Sequence, residues 1–180
     1  MSDKTDLSRK LLSQASQLEK LRTPPKPRPG THRLFQTTLL RCAPEDVFEF
    51  FADARNLKKA TPPDLEFTLL SPENIVLREE ALLHYKIRLA GLRFSWTTRI
   101  LAWEYPSMFV DEQARGPFSF WHHTHTFSPE GKHVRMDDEV IYRLPLWPLG
   151  EIVHPWVEKQ LLRIFAYRRQ QILAALSKED

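Results

Sequence analysis

Two stretches in the middle of the chain alternate apolar and polar residues with period two. Leu83, Tyr85, Ile87 and Leu89 are interleaved with His84, Lys86 and Arg88, and Leu92, Phe94, Trp96, Thr98 and Ile100 with Arg93, Ser95, Thr97 and Arg99. A two-residue loop at Ala90-Gly91 sets Leu89 opposite Leu92, Ile87 opposite Phe94 and Tyr85 opposite Trp96, so both strands turn their apolar sides to one face. Phe35, Thr37, Thr38 and Leu39 mark an earlier strand within 31–40. Ala43-Pro-Glu-Asp46 then opens a helix with proline and acids in its first turn, and Val47, Phe48, Phe50 and Phe51 form its apolar face. A second short helix, 56–60, stops at Thr61-Pro62-Pro63 because a residue preceding proline is pushed out of helical geometry.

Strands are expected at 65–70 and 75–78, and two further hairpins turn at 115–117 and 129–132, with a last strand over 134–143. After Pro145 and Pro148, Ile152, Val153, Trp156, Val157, Leu161, Ile164, Phe165, Ile172 and Leu176 recur at three- and four-residue spacing. That wide apolar face is expected to cover a sheet. The predicted fold class is α+β: a strand, two short helices, an antiparallel meander bringing the sheet to about six or seven strands, and a long terminal helix across it. A curved sheet closed by one helix leaves a hollow, the usual place for a ligand.

Composition narrows the setting. At 180 residues the chain suits one domain, 31–176, after a basic and proline-rich extension, 1–30, with a short tail, 177–180. The extension carries Leu7, Leu11, Leu18 and Leu21 at roughly helical spacing, a candidate contact with a membrane surface or partner. One cysteine, Cys42, excludes an internal disulfide. No apolar run approaches the 18 or so residues of a membrane span, and no signal-peptide order is present, so a cytoplasmic location is expected. The +3 charge, from 26 basic and 23 acidic side chains, has no long single-sign block and does not favour nucleic acid as a partner. Arg163, Arg168 and Arg169 are read as complementing the dipole of the terminal helix.

Chemistry concentrates in Phe109-Val-Asp-Glu-Gln-Ala-Arg-Gly-Pro-Phe-Ser-Phe-Trp-His-His-Thr-His-Thr-Phe127. An odd-length loop around Gly116-Pro117 places Asp111 opposite His123 and Gln113 opposite Trp121; a four-residue loop at 129–132 places His123 beside Asp138, His125 beside Met136 and Phe127 beside Val134. The resulting row Asp111, His123, Asp138 predicts an imidazole whose charged form is favoured and whose pKa is raised. The row reads first as a satisfied polar cluster that fixes strand register or as an anchor for a polar ligand group, and after these as the candidate catalytic residues Asp111, His123 and Asp138. His123 and His125 share a strand face beside His122, but two imidazoles do not make a site, so neither a metal nor another cofactor is expected. Tyr85, Trp96, Trp121, Phe127 and Tyr142, which read singly as core residues, together resemble a pocket wall, with Asp111, Gln113, His123, His125 and Asp138 as polar handles.

The order of elements, with Ala43-Pro-Glu-Asp-Val-Phe-Glu-Phe-Phe-Ala-Asp-Ala-Arg-Asn-Leu57 after the first strand, resembles the START-like helix-grip (SRPBCC) superfamily over about residues 31–175. Trp103-Glu-Tyr-Pro-Ser-Met-Phe-Val-Asp-Glu-Gln113, Gly116-Pro-Phe118, Trp121-His-His-Thr-His-Thr-Phe127, Asp138-Glu-Val-Ile-Tyr142 and Pro145-Leu-Trp-Pro-Leu-Gly150 are similar to a bacterial cyclase/dehydrase-like or coenzyme-Q-binding START-type subgroup. The resemblance implies a helix-grip fold with an internal cavity and transfers no catalytic residue. Three readings follow: binding, with or without transport, of a hydrophobic small molecule such as a lipid, quinone or polyketide-like compound; a cofactor-free cyclase or dehydratase using His/Asp acid–base chemistry; and a membrane-surface or protein-interaction module.

Overall fold

The computed structural model describes residues 26–177 except 73 and 90, so the expected helix in 1–22 and most of the tail lie outside the described residues. Seven strands form one antiparallel sheet in the order β1-β7-β6-β5-β4-β3-β2. They are β1 (Thr31–Leu40), β2 (Thr68–Leu69), β3 (Leu82–Leu89), β4 (Leu92–Glu104), β5 (Met108–Arg115), β6 (Phe120–Glu130) and β7 (His133–Arg143). Two short helices, α1 (Pro44–Ala52) and α2 (Ala54–Lys59), follow β1, and α3 (His154–Leu176) crosses the sheet. The sheet curves, and register shifts between Thr97 and Thr98 and between Ile100 and Ala102 of β4 supply bends of the kind an extra residue forces on a strand.

The β3/β4 register is the expected one, with Leu89 opposite Leu92, Ile87 opposite Phe94 and Tyr85 opposite Trp96. The β6/β7 register is not. The loop is shorter than the four residues expected, because Gly131, at a φ of 63°, turns the chain within Gly131-Lys132. Each residue of β6 therefore meets a partner two positions further along: His123 faces Val140, His125 faces Asp138, Phe127 faces Met136 and Trp121 faces Tyr142.

Residues 75–78 form no strand, and the segment expected at 65–70 contributes only Thr68–Leu69 after a 3-10 turn, Pro63–Leu65. The N–H groups of Leu70 and Ser71 still bond to the His84 carbonyl; Pro72 has no N–H, and the edge pairing ends there. Helix α3 is preceded by a separate 3-10 turn at Leu149–Ile152, so the apolar spacing that begins at Ile152 spans two elements. Its apolar face is also narrower than expected. Val157, Leu161, Phe165 and Ile172 are buried, whereas Ile152, Val153 and Trp156 are exposed.

The turn into α3 is closely packed. A Cβ at Gly150 would lie 2.3 Å from the Pro145 carbonyl oxygen, well inside contact distance. Gly150→Ala is therefore expected to cost about 1–3 kcal/mol through a forced backbone shift. Urea unfolding would show it as a lowered midpoint with an unchanged m-value, and an unchanged midpoint would refute it.

Two apolar clusters fill the space between sheet and helices. One joins Leu34, Trp96, Trp121, Val140 and Tyr142 to Val157, Leu161 and Phe165 of α3. The other joins Leu40, Val47, Phe48, Phe109, Phe127, Val134 and Met136 to Ile172. Each strand that contributes to both carries buried polar residues between the clusters: Thr38 on β1, His123 and His125 on β6, and Asp138 on β7. A polar belt thus divides the core.

Candidate functional site

Period-two geometry puts His123 and His125 on the same side of β6, and sheet pairing brings a carboxylate to each flank. Asp111 of β5 is opposite His123, as the sequence predicts, and Asp138 of β7 is opposite His125. The two rings are adjacent, with centroids 3.8 Å apart. Asp111 Oδ2 lies 3.6 Å from His123 Nδ1 and 3.3 Å from His125 Nε2. Asp138 Oδ1 lies 3.4 Å from His123 Nε2 and 2.6 Å from His125 Nδ1. The Asp138 contacts are close but out of line, leaving His123 Nε2, His125 Nδ1 and Asp138 Oδ1 in charge contact without a well-directed hydrogen bond.

Burial sets the protonation pattern. It pushes the His123 imidazole down, the neighbouring His125 charge adds to this, and the two acids do not compensate, so its pKa falls to about 4. Burial also opposes charging of His125, but Asp138 and Asp111 prevail and hold that ring above the ordinary histidine value. The raised imidazole expected at His123 is thus at His125, because the shifted β6/β7 register puts Asp138 across from it. Burial works against ionisation of both acids too. The His125 hydrogen bond and the charges of His123, His125 and Arg168 nevertheless keep Asp111 below the usual carboxylate range, and the two histidines do the same for Asp138.

A cavity of about 170 Å³ lies on the α3 side of this cluster. Tyr85, Trp96, Asp111, Trp121, His123 and His125, six of the residues singled out in the sequence, line it. The other four are not on its wall. Asp138 is behind the imidazoles, 1% exposed. Phe127 packs in the second apolar cluster. Tyr142 is in the first cluster and meets His154 Nε2 through its hydroxyl at 3.0 Å. The β5/β6 pairing ends at Glu112 and His122, so Gln113 is not paired with Trp121: its side chain donates to the Phe118 carbonyl and accepts from the Phe118 N–H, bracing the β5/β6 loop.

Sequence reasoning missed Phe51, Phe67, Phe118, Phe165 and Arg168 on the wall. Arg168 carried a usable signal: it follows Phe165 by three residues and precedes Ile172 by four, so helical spacing puts it on the buried face. Its guanidinium lies over the Phe165 ring at 5.1 Å, and its Nε is buried without a hydrogen-bond partner. The cavity therefore has aromatic sides and a polar group of one carboxylate, two imidazoles and a guanidinium, with the Asp138 carboxylate behind the imidazoles.

A family model described as polyketide cyclase/dehydrase and lipid transport matches residues 41–166. The chain belongs to this family. Its wider affiliation is the helix-grip superfamily, in which an internal cavity for hydrophobic ligands is typical, and the fold is consistent with such a cavity here. Among solved structures, the protein CV1439 from Chromobacterium violaceum superposes with a TM-score of 0.62 at 17% identity, covering 84% of this chain and 100% of that one. Protein TTHA0849 from Thermus thermophilus gives 0.61 at 18% identity over 80% and 99% of the two chains. A START superfamily protein from Mycobacterium smegmatis gives 0.60 at 12% identity over 78% and 97%. At these identities the likeness is one of fold. No curated protein matches the sequence. Among the described residues no helix is long and apolar enough to cross a membrane.

Proposed function

We propose that this polyketide cyclase-like protein binds a single hydrophobic molecule with an aromatic or polycyclic body and a hydroxyl or carbonyl group, of the quinone or polyketide-like class, between the sheet and α3. The observation that carries the reading is the division of the cavity wall. Phe51, Phe67, Tyr85, Trp96, Trp121 and Phe165 offer ring faces to an apolar body, while the ionisable groups Asp111, His123, His125 and Arg168 are grouped on the same wall, the two imidazoles and the guanidinium all acting on Asp111. Rings contribute offset and edge-on contacts as well as apolar area, favouring a flat unsaturated partner over a flexible chain. These ionisable groups supply donors and acceptors that would orient one polar group.

A cofactor-free acid–base enzyme working through His123 gains less support. An imidazole pushed down to about 4 is a weak base at neutral pH and donates no proton there.

Native mass spectrometry of the purified protein, followed by solvent extraction of any retained molecule, tests the binding reading. Ile164, half-buried on α3, lines the cavity, so Ile164→Trp is expected to fill it and weaken binding of an aromatic polycyclic probe at least about tenfold, a loss of roughly 1.4 kcal/mol. Fluorescence titration of Trp96 and Trp121 quenching gives the measurement. Saturable binding to wild type that is untouched by the indole would move the ligand elsewhere, and no binding of any aromatic probe would refute the proposal.

A further inference from the structure

Each of the two buried imidazoles shows one nitrogen to each carboxylate. His123 Nε2 and His125 Nδ1 point to Asp138, whereas His123 Nδ1 and His125 Nε2 point to Asp111. Asp138 is sealed behind the rings, while Asp111, His123 and His125 border the cavity. One donor atom from each of these three lies within 4.8 Å of the other two.

We propose that Asp111, His123 and His125 hold a divalent transition-metal ion of the zinc or iron(II) kind, backed by Asp138, with its remaining coordination position open to the cavity. Two nitrogens and one carboxylate oxygen are the donor set that suits these ions. The spacing fits as well. Ligands at about 2.1 Å around a tetrahedral ion are about 3.4 Å apart, and Asp111 Oδ2 stands 3.3 and 3.6 Å from the two histidine nitrogens.

Asp138 is the feature that distinguishes this cluster from a chance grouping. Metal-binding imidazoles are commonly held by a carboxylate at their other nitrogen, which fixes the tautomer and directs the lone pair at the ion. One buried carboxylate lies against both rings, 3.4 Å from His123 Nε2 and 2.6 Å from His125 Nδ1, in charge contact rather than a well-directed hydrogen bond; its charge favours protons on those two nitrogens, which leaves the lone pairs of His123 Nδ1 and His125 Nε2 facing Asp111. The other histidine–carboxylate group, His32, Glu151 and His154, is less suited. There His32 Nε2 is engaged by Glu151 at 2.9 Å and His154 Nε2 by the Tyr142 hydroxyl at 3.0 Å.

The metal site does not depend on the aromatic ligand, and its test uses metal alone. Chelator-stripped protein is titrated calorimetrically with Zn²⁺, and with Co²⁺ as a spectroscopic substitute. One ion per chain is expected, with ligand-field bands from Co²⁺. Asp111→Asn and His125→Gln should each weaken binding by more than about 100-fold, and Asp138→Asn by about 10- to 100-fold. His32→Gln should change nothing. Absence of binding at micromolar ion, wild-type affinity in Asp111→Asn and His125→Gln, or loss of binding in His32→Gln would each overturn the assignment. Circular dichroism establishes that the variants are folded. Should they fail to fold, imidazole NMR signals of the wild type decide: Zn²⁺ must shift those of His123 and His125 and leave those of His32 and His154 in place.

Discussion

Asp138→Ala is expected to lower the unfolding free energy by about 3–5 kcal/mol, the cost of taking one partner from a buried ionic group. The carboxylate stands between two imidazoles in the divided core, 2.6 Å from His125 Nδ1 and 3.4 Å from His123 Nε2. Without it, His125 must either keep its charge against a single acid or give up the proton that its two carboxylates favour. Both choices are costly. Asp138→Asn keeps the shape and some hydrogen-bonding capacity and is expected to cost less, about 1–3 kcal/mol. Urea unfolding with chelator present keeps bound metal from masking the effect. An alanine variant with the wild-type midpoint would mean that the belt carries no structural ionic interaction.

Phe48→Ala is expected to cost a similar amount, about 3–5 kcal/mol, by a different mechanism. Phe48 is 1% exposed and anchors α1 on the sheet. Its ring meets those of Trp103, Tyr105, Phe109 and Phe127 edge-on, with centroids 4.7 to 5.9 Å away. Truncation leaves a ring-sized void that its neighbours cannot close, because Trp103, Phe109 and Phe127 are each held by the pairing of a separate strand and only Tyr105 lies in a turn. By contrast, Leu162→Ala on the outer side of α3, 56% exposed, should stay within about 0.5 kcal/mol of wild type. Similar losses at both positions would show that burial does not set the cost.

Several features of fold and site were legible in the residues. The alternation in 83–100 specified the β3/β4 hairpin down to its partners, because a two-residue loop with Gly91 leaves one register that buries both apolar faces. Asp111 opposite His123 followed in the same way from the loop around Gly116. The Ile75–Arg78 run misled because apolar residues make a strand only where an edge has donors and acceptors to offer, and Pro72 had already ended the pairing. The exposure of Ile152, Val153 and Trp156 was hidden because Ile152 and Val153 precede α3 and Trp156 lies in its first turn, so their spacing continues the α3 pattern without sharing its buried surface.

By itself the sequence determined the faces. Side chains alternate along a strand with period two and recur along a helix with period 3.6, so the assignment of His123, His125, Asp111 and Asp138 to one side of the sheet needed no coordinates. That assignment survived the wrong loop length between β6 and β7, since a slip of two residues leaves every side chain on its original face. Tertiary structure alone decided which groups on that face touch. The tight turn at Gly131-Lys132 put Asp138 across from His125 rather than His123, and burial then separated the two imidazoles into one raised and one lowered pKa. Packing of α3 likewise brought Arg168 to the cavity wall. Distances between strands and the dielectric around a charge arise only when the layers close, which is why the sequence showed a row of polar residues and the fold made it a paired cluster beside a cavity.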